Sequence, residues 1–330
     1  MKRRAAVRAA LLAWYRANRR DLPWRLTRDP WAIWVSETML QQTRVEAVVP
    51  YWERFLARFP DPGALATADL DDVLGLWSGL GYYSRARNLK RAAEDVVARF
   101  GGRVPADPAE LESLPGVGRY TAGAVASIAF DRPAPIVDGN VARVLARILG
   151  IREEIESAPA RRRLWEEAEA LAAGEAPGDL NQALMELGAL VCVPRMPRCA
   201  ACPAAALCAA HAAGDAEALP LRAPKRAPKT VHAVAALLLR RGKALAVRRP
   251  ARGLLGGLWE LPGGDVDGPR AATPAALAEI LRARTGLAPE QIQPAGRIEY
   301  AFTHRLLRLR LVRCEAGAGR LRLAGWDTHR

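Results

Sequence analysis

The sequence of 330 residues predicts a multidomain protein of the α plus α+β class, with an all-helical domain followed by a smaller α/β domain. Three observations support this prediction. Residues 1–215 place apolar residues at intervals of three and four, which is the period of an amphipathic helix. Residues 216–230 are rich in Pro and basic residues, as extended linkers are. Residues 231–330 contain alternating stretches, which are typical of half-exposed strands.

The composition is that of a globular protein, with 50% apolar and 25% charged residues. No apolar run reaches the roughly 18 residues that a membrane span requires. The N-terminal stretch MKRRAAVRAALLAWYRANRRD resembles a signal peptide only superficially, because Arg8 interrupts its apolar part and the pattern continues as an amphipathic helix. We therefore expect a cytoplasmic monomer without a membrane partner.

The net charge of +14 is unevenly distributed along the chain. Residues 1–218 carry 28 Lys and Arg against 27 Asp and Glu, whereas residues 219–330 carry 21 against 8 and so supply +13 of the total. Such an excess favours a polyanionic partner, most often nucleic acid. An arginine-rich surface that only interacts with solvent would have the same composition, so this alternative stays open.

A glycine turn between two helices is predicted within LESLPGVGRYTAGAVASIAF, residues 111–130. Gly116 and Gly118 supply the turn, and a helix beginning near Arg119 leaves its first N–H groups free. Free N–H groups and the helix dipole bind a phosphate without reading sequence. Taken alone, the same pattern is also a common connection between helices.

The next helix is predicted from PAPIVDGNVARVLARIL, where apolar positions from Val141 to Leu149 form one stripe and Gly150 ends it. Asp138 lies at the expected N-cap, and most aspartates in that position only cap the helix.

Four of the five cysteines fall within residues 192–208, in the pattern C-x6-C-x2-C-x5-C. They are Cys192, Cys199, Cys202 and Cys208. A cytosolic protein keeps its thiols reduced, which disfavours disulfides. Zinc sites usually combine two C-x2-C pairs or cysteine with histidine, and only one such pair occurs here. The spacing favours four thiolates around a [4Fe-4S] cluster, with zinc as the alternative.

Two strands around an Arg-Gly turn are predicted from VHAVAALLLRRGKALAVRRP, and a further strand from YAFTHRLLRLRLVRC. Cys314, on that last strand, is expected to be a buried thiol.

The motifs together resemble the MutY-type adenine DNA glycosylases of the endonuclease III helix-hairpin-helix superfamily. WVSETMLQQTRVEAVVPYWERF, GLWSGLGYYSRARNL, LPGVGRYTAGA, VDGNVARVLAR and the cysteine pattern occur in that family's order and approximate spacing. The resemblance implies a base excision repair enzyme that removes adenine paired with 8-oxoguanine, or with guanine, in double-stranded DNA. It also implies a helix-hairpin-helix glycosylase domain with a [4Fe-4S] loop, acting on DNA in the nucleoid.

The resemblance assigns the catalytic roles to four residues. Glu37 matches the general acid that protonates adenine at N7, which requires a pKa near neutrality. Asp138 matches the carboxylate that stabilises the oxocarbenium-like sugar, and Asn140 orients this pair. Tyr120 stands where lyase members of the superfamily have a lysine, so base removal without strong strand cleavage is expected.

Residues that contact DNA are assigned in the same way. Gln42 and Tyr82 match side chains that fill the gap left by the extruded adenine. Arg25 and Gln182 match positions that line the adenine pocket. The hairpin residues Gly116, Gly118 and Arg119 are expected at a phosphate. A cluster that faces a DNA phosphate is predicted from Arg85, Arg87, Lys90 and Arg91. A solvated helix face would have the same composition.

The second domain resembles a Nudix fold, because GLWELPGG matches its entry. The acidic catalytic helix of Nudix hydrolases is absent, since the corresponding region is AALAEILRARTG, so pyrophosphatase activity is not expected. Phe302, Thr303 and His304 match the family's loop that reads 8-oxoguanine, and Thr303 keeps the hydroxyl of the commoner serine.

Two other functions compete with this interpretation. One is an endonuclease III-like glycosylase and lyase for oxidised pyrimidines, which Tyr120 disfavours. The other is a non-catalytic iron-sulfur protein that binds DNA, which the presence of both Glu37 and Asp138 disfavours.

Overall fold

The computed structural model describes residues 2–224, 227–250, 253, 255–302 and 305–329. The chain divides into two compact units, Met1–Ala223 and Pro224–Arg330. The part of the predicted reading loop formed by Thr303 and His304 lies outside the described residues.

The first unit is built from helices, as its apolar period predicts. The α-helices are α1 Lys2–Asn18, α2 Pro30–Leu40, α3 Val45–Arg58, α4 Pro62–Ala66, α5 Leu70–Trp77, α6 Ser84–Phe100, α7 Pro108–Glu112, α8 Arg119–Phe130, α9 Gly139–Leu149, α10 Ala158–Ala172, α11 Pro177–Leu190 and α12 Ala209–Ala212. Short 3-10 turns occupy Pro23–Arg25, Cys199–Ala201 and Ala205–Leu207.

The ends of the helices that matter for the site follow from local sequence. Asp29 caps α2, because its carboxylate accepts from the Trp31 N–H at 3.1 Å, and Pro30 follows as the first helical residue. Asp138 caps α9, as predicted. Helix α8 begins at Arg119, directly after the glycine turn, which confirms the predicted start.

One core of the first unit lies among α1, α8, α9, α10 and α11, around residues such as Leu11, Leu145, Leu164, Leu180 and Leu184. The helical stripe of VARVLARIL therefore faces this core. Large aromatic side chains, including Trp34, Phe55 and Trp77, are buried among α2, α3 and α5. Helix α2 also packs against α8, and α11 packs against both α8 and α9.

The predicted linker 216–230 begins later in the structure than at residue 216, because its first residues contact the helical unit. The Leu219 carbonyl accepts from Arg147 Nε at 2.9 Å, and the Leu221 carbonyl accepts from the Ile155 N–H at 2.9 Å. Leu219 is also buried against Ala210. Pro and basic residues predicted an extended linker from residue 216, but the composition did not show that the apolar residues Leu219 and Leu221 contact the helical unit.

The second unit is mixed α and β, as predicted. Its strands are β1 Lys229–Arg240, β2 Lys243–Ala244, β3 Val247–Arg248, β4 Trp259–Glu260, β5 Gly263–Val266, β6 Pro289–Ala301, β7 Arg305–Ala316 and β8 Thr328–His329. The larger sheet has the order β2-β1-β7-β6, with β5 also paired to β1, and β4-β3-β8 form a smaller sheet.

Strands β1 and β7 are parallel neighbours, whereas β6 and β7 form an antiparallel hairpin. Helix α13, Pro274–Thr285, covers the core formed with residues such as Leu238, Leu281 and Val312. The predicted Arg-Gly turn joins β1 to β2, with positive φ at both Arg241 and Gly242. Cys314 is buried in the same core, as expected.

Among the described residues, no helix has both the length and the apolar character to cross a membrane.

Candidate active site

A cavity of about 540 Å³ lies in the first unit, lined by residues of α2, α8, α9 and α11. Seven residues predicted to act in catalysis or base binding line it: Arg25, Glu37, Gln42, Tyr120, Asp138, Asn140 and Gln182. The fold therefore brings together side chains that are separated by more than a hundred positions in the sequence.

Glu37 lies on α2 and is only 5% exposed. The pKa of its carboxyl is raised to about 7. The main cause is burial, because the charged form loses its water, and the nearby charge of Asp138 contributes in the same direction. The Tyr120 hydroxyl donates to Glu37 Oε2 at 2.7 Å and, with Arg25, opposes this shift in the pKa. A carboxyl with this pKa is partly protonated at neutral pH and can donate its proton.

Tyr120 lies one residue inside α8. Burial raises its pKa well above the ordinary value, and the carboxyl groups of Glu37 and Asp138 add to this effect. The phenol therefore stays protonated and acts as a hydrogen-bond donor rather than a base. Its hydroxyl also lies 3.2 Å from the Met185 sulfur.

Asp138 is held by the start of α9. Its Oδ1 accepts from the Val141 N–H at 2.7 Å, and its Oδ2 accepts from Asn140 Nδ2 at 3.2 Å. Burial raises the pKa of Asp138, while these hydrogen bonds and the charge of Arg143 oppose the increase. Asn140 in turn accepts from Arg143 at 2.8 Å. The cap therefore fixes the position of the carboxylate as well as the end of the helix.

Sequence reasoning missed the acidic partner of Arg25. Glu186 on α11 is buried and forms ion pairs at 2.8 Å with both Arg25 and Arg20. Burial alone would raise the pKa of Glu186, but the hydrogen bonds from the two guanidinium groups outweigh it and lower the pKa to about 2. Glu186 lies four positions after Gln182 on one helix face, and this spacing is the signal that could have found it.

Gln42 and Tyr82 lie in the loops that follow α2 and precede α6. Both have a left-handed backbone, with φ of 59° and 47°, which is uncommon for residues with side chains. Tyr82 is 44% exposed, although it is a large apolar residue, and it does not line the cavity.

The glycine turn before α8 has a steric requirement at one of its two glycines. Gly116 has φ +77°, and a Cβ added there would lie 2.5 Å from the Cβ of Asn88 on α6. At Gly118 a Cβ would meet nothing within 4 Å. Arg119 is exposed, and its guanidinium lies 3.9 Å from the centre of the Trp165 ring.

The prediction of a phosphate-facing cluster on α6 is wrong for part of its residues. Arg85 is buried, and Lys90 donates to the Ala66 carbonyl at 2.9 Å and pairs with Glu94. Arg91 remains exposed. The basic composition matched a binding surface, but helix α6 turns Arg85 towards the interior.

The four predicted ligand cysteines line one small cavity together with Arg147 and His211. Burial raises the pKa of the Cys202 thiol to about 11, and the other three thiols act in the same direction as near neighbours. Arg147 donates to the Cys192 sulfur at 3.2 Å. Across the described part of the chain, no group of three or more His, Cys, Asp or Glu side chains is arranged to hold a metal ion. The four cysteine residues line a common space without forming such a group.

In the second unit, Phe302 follows β6 and stacks edge-on against Tyr300, with ring centres 4.8 Å apart. Its N–H donates to the Arg305 carbonyl at 2.7 Å and closes the β6–β7 hairpin. Phe302, the part of the predicted reading loop that the structure describes, therefore lies at the C-terminal end of β6.

Comparison with known families separates the two units in the same way. Residues 35–170 match the family described as HhH-GPD superfamily base excision DNA repair protein, and residues 233–327 match the NUDIX domain. The adenine DNA glycosylase of Rattus norvegicus is 39% identical to this chain over an alignment of 352 positions. The alignment covers 91% of this chain and 68% of the rat protein.

The chain belongs to the adenine DNA glycosylase family.

Solved structures show how widely this glycosylase fold is shared. A thermostable thymine-DNA glycosylase is 33% identical with a TM-score of 0.60, covering 64% of this chain and 98% of that chain. A non-covalent endonuclease III–DNA complex is 24% identical with a TM-score of 0.54, covering 64% and 97%, and shows the fold alone. Membership of the adenine DNA glycosylases establishes a base excision repair enzyme.

Proposed function

We propose that the protein removes adenine paired with 8-oxoguanine, or with guanine, from double-stranded DNA by hydrolysing the N-glycosidic bond. The observation that carries the proposal is one buried cavity in which Glu37, with a pKa near 7, lies beside the capped Asp138.

Glu37 acts as the general acid. Adenine is a poor leaving group until a ring nitrogen is protonated, and a carboxyl with a pKa of about 7 holds a transferable proton at neutral pH. We assign the delivery of this proton to N7. The Tyr120 hydroxyl, which donates to Oε2, orients the carboxyl.

Asp138 stabilises the positive charge that develops on the sugar as the bond breaks. The Val141 N–H and the Asn140 amide hold its two oxygens, so little reorganisation is needed. Water then completes the hydrolysis. Tyr120 provides no amine to attack the sugar, so strand cleavage by a Schiff base is not expected.

The adenine pocket includes Arg25 and Gln182. Arg25 is held in place by the ion pair with Glu186, so we add Glu186 to the residues that shape the pocket. Gln42 and Tyr82 fill the space that the extruded base leaves, which offsets part of the cost of unstacking. The turn at Gly116 and Gly118, with Arg119, binds a backbone phosphate through free N–H groups of α8.

Phe302, Thr303 and His304 recognise 8-oxoguanine. Support for this role comes from the position of Phe302 in the described part of the loop and from the match of residues 233–327 to the NUDIX domain.

Cys192, Cys199, Cys202 and Cys208 would hold a [4Fe-4S] cluster. Support for this assignment comes from the four cysteines, which line one small cavity, and from the chemistry of the cluster, in which each iron takes one thiolate. A bound cluster would cross-link these cysteines and so order the loop between α11 and α12. We expect a monomer that acts on nucleoid DNA in the cytoplasm.

The test uses the purified protein on a duplex with a single 8-oxoguanine:adenine pair, with and without alkali. The proposal predicts cleavage of the adenine strand only after alkali, and loss of this cleavage in Glu37→Gln. Glu169→Gln, which changes an exposed glutamate on α10, is the matched control and should remain active.

Two further duplexes test the competing functions. Cleavage of a thymine glycol strand without alkali would assign the protein to the lyases. A guanine:thymine duplex is included because the thymine-DNA glycosylase is 33% identical. Release of thymine and not adenine would contradict the proposal, as would tight binding of DNA without release of any base.

A further inference from the structure

Two loops that are distant in sequence are held under backbone strain in the first unit. Gln42 and Tyr82 both have positive φ, a backbone conformation that is strained for a non-glycine residue. Such conformations persist only where the surrounding contacts impose them. The contacts that surround both loops converge on a single side chain, Arg85.

Arg85 lies in the first turn of α6 and is only 7% exposed. Its Nη1 lies within hydrogen-bond distance of the carbonyls of Thr38, Met39 and Gln41, at 3.0, 2.6 and 2.6 Å. These groups belong to the C-terminal end of α2 and to the residue before Gln42. The negative end of the helix dipole favours a cation at this position.

The other terminal nitrogen reaches both loops. Nη2 lies 3.2 Å from the carbonyls of Leu80 and Gly81, directly before Tyr82, and 3.2 Å from the Thr43 hydroxyl. One guanidinium group therefore contacts six oxygen atoms on two separate segments. All six acceptors are neutral, so the contacts fix geometry and do not neutralise the charge.

Aromatic rings complete the environment of the guanidinium. Its central carbon lies 5.4 Å from the centre of the Trp77 ring and 5.6 Å from that of Tyr82. Both distances are within the range of cation–π attraction. The Tyr82 side chain thus lies near the same guanidinium group that contacts the Gln41 carbonyl and the Thr43 hydroxyl, on either side of Gln42.

We infer that Arg85 is a positioning residue that locks the Gln42 and Tyr82 loops to each other, so that both side chains enter the DNA as one unit. The inference rests on the proposed function, in which Gln42 and Tyr82 replace the extruded base. Arg85 itself is too deeply buried to contact DNA.

Lysine cannot replace this arrangement. Its ammonium group is a compact charge with three donors, whereas the planar fork of arginine presents five donors in fixed directions. Arg85→Lys therefore keeps the positive charge and removes the connection between the loops. Arg99→Met is the matched control, because Arg99 lies on the same helix but is more exposed and contacts Ser113.

The first experiment measures amide hydrogen exchange of the full chain without DNA. In Arg85→Lys we expect exchange at 41–43 and at 79–83 to accelerate at least tenfold together, with α9 and α11 unchanged. Arg99→Met should leave both segments as in the unmodified protein. Acceleration in neither segment, or in only one, would overturn the inference.

A second variant guards against general unfolding of Arg85→Lys. Thr43→Val removes one acceptor from the first loop and leaves Arg85 in place. If the loops are connected through Arg85, exchange at 79–82 should rise at least twofold, although Thr43 belongs to the other loop. No change at 79–82 would contradict the connection.

The second experiment follows base extrusion with 2-aminopurine at the adenine position, whose fluorescence rises when it leaves the stack. Arg85→Lys should reduce this rise by more than half and slow single-turnover excision at least tenfold. The midpoint of the pH profile, which reports Glu37, should not move. In a Gln42→Ala/Tyr82→Ala background, Arg85→Lys should reduce extrusion by less than a further twofold. If Arg85→Lys reduces extrusion as much in the double-alanine background as in the unmodified protein, Arg85 has only a structural role.

The outcomes separate this inference from the proposed function. If the loops loosen together in Arg85→Lys but the unmodified protein releases no adenine, the proposed function fails and the connection stands. If adenine is released normally and exchange does not change in Arg85→Lys, the connection fails and the proposed function stands.

Discussion

At the scale of single residues, the ionisation of Glu37 is the property on which the proposed chemistry depends. Its side chain is polar, yet it lies among buried residues of α2, and burial raises its pKa to about 7. Asp138, also with a raised pKa, must be charged to stabilise the sugar cation. The two groups therefore have to be in opposite protonation states at the same pH.

This requirement predicts the pH dependence of excision. The rate should fall as pH rises through about 7, because Glu37 loses the proton it must donate. It should also fall in acid, at a higher pH than an ordinary aspartate would give, because the pKa of Asp138 is raised. Single-turnover excision at subsaturating enzyme, measured from pH 5 to 9, tests this. A rate that increases steadily up to pH 9 would exclude Glu37 as the acid.

The same pKa shift predicts an effect on stability. The unfolded chain releases the Glu37 proton near 4.5 and the folded protein near 7, so folding becomes less favourable as pH rises between these values. Ionised Glu37 therefore destabilises the fold by about 3 kcal/mol at pH 8, using 1.36 kcal/mol per pKa unit. Glu37→Gln should remove this penalty.

Urea unfolding of Glu37→Gln at pH 5 and pH 8 measures the effect. The variant should gain about 2–3 kcal/mol over the unmodified protein at pH 8 and much less at pH 5. Glu169→Gln should change the free energy of unfolding little at either pH. An equal difference between Glu37→Gln and the unmodified protein at both pH values would contradict the raised pKa.

At the scale of elements, the turn before α8 shows two glycines with different requirements. Gly116 combines positive φ with close packing against Asn88, whereas Gly118 has neither in the free protein. If both are needed at the DNA, the reason for Gly118 is the approach of the phosphate.

The two alanine variants should therefore behave differently. Gly116→Ala should lower the free energy of unfolding by about 1–3 kcal/mol, because of the backbone strain and the contact with Asn88. Gly118→Ala should keep its thermal stability and bind duplex DNA several-fold more weakly. Melting curves and DNA titrations at one salt concentration compare them. Equal loss of stability in both variants would contradict this distinction.

The arginines of α6 and α9 have different roles because the helix points some of them to the interior and others to the surface. Arg85 and Arg143 are buried and bind backbone carbonyls, whereas Arg91 remains exposed. Composition suggested a phosphate surface for α6, and only the direction of each side chain from the helix separates these cases.

At the scale of the whole molecule, the chain divides after Ala223 and not at residue 215. Leu219 and Leu221 connect the end of the helical unit to Arg147 and Ile155. The stability of the isolated helical unit should therefore depend on the residue at which the chain is truncated.

Two truncated chains test this. Residues 1–223 should fold and excise adenine opposite guanine, with a reduced preference for 8-oxoguanine. Residues 1–215 should unfold at lower urea, because they lose the burial of Leu219, which is worth about 1.5–3 kcal/mol for a full leucine side chain. Circular dichroism and the alkali assay compare the two. Equal stability would contradict the packing of residues 216–221.

The features that depend on neighbouring residues could be predicted from the sequence alone. Apolar periods predicted the helical unit and the strands, the glycines predicted the turn before α8, and Asp138 was recognisable as a cap. The family motifs named seven residues of the active-site cavity, and the cysteine spacing named four residues of the second, smaller cavity. These features are local because hydrogen bonds and backbone angles involve residues only a few positions apart.

The properties that depend on distant residues could be seen only in the folded protein. The pKa of Glu37, the pairing of Arg25 with Glu186 and the connection of two loops by Arg85 join positions up to 161 residues apart. Burial and electrostatic contact depend on distance in space, and folding sets that distance independently of the separation along the chain.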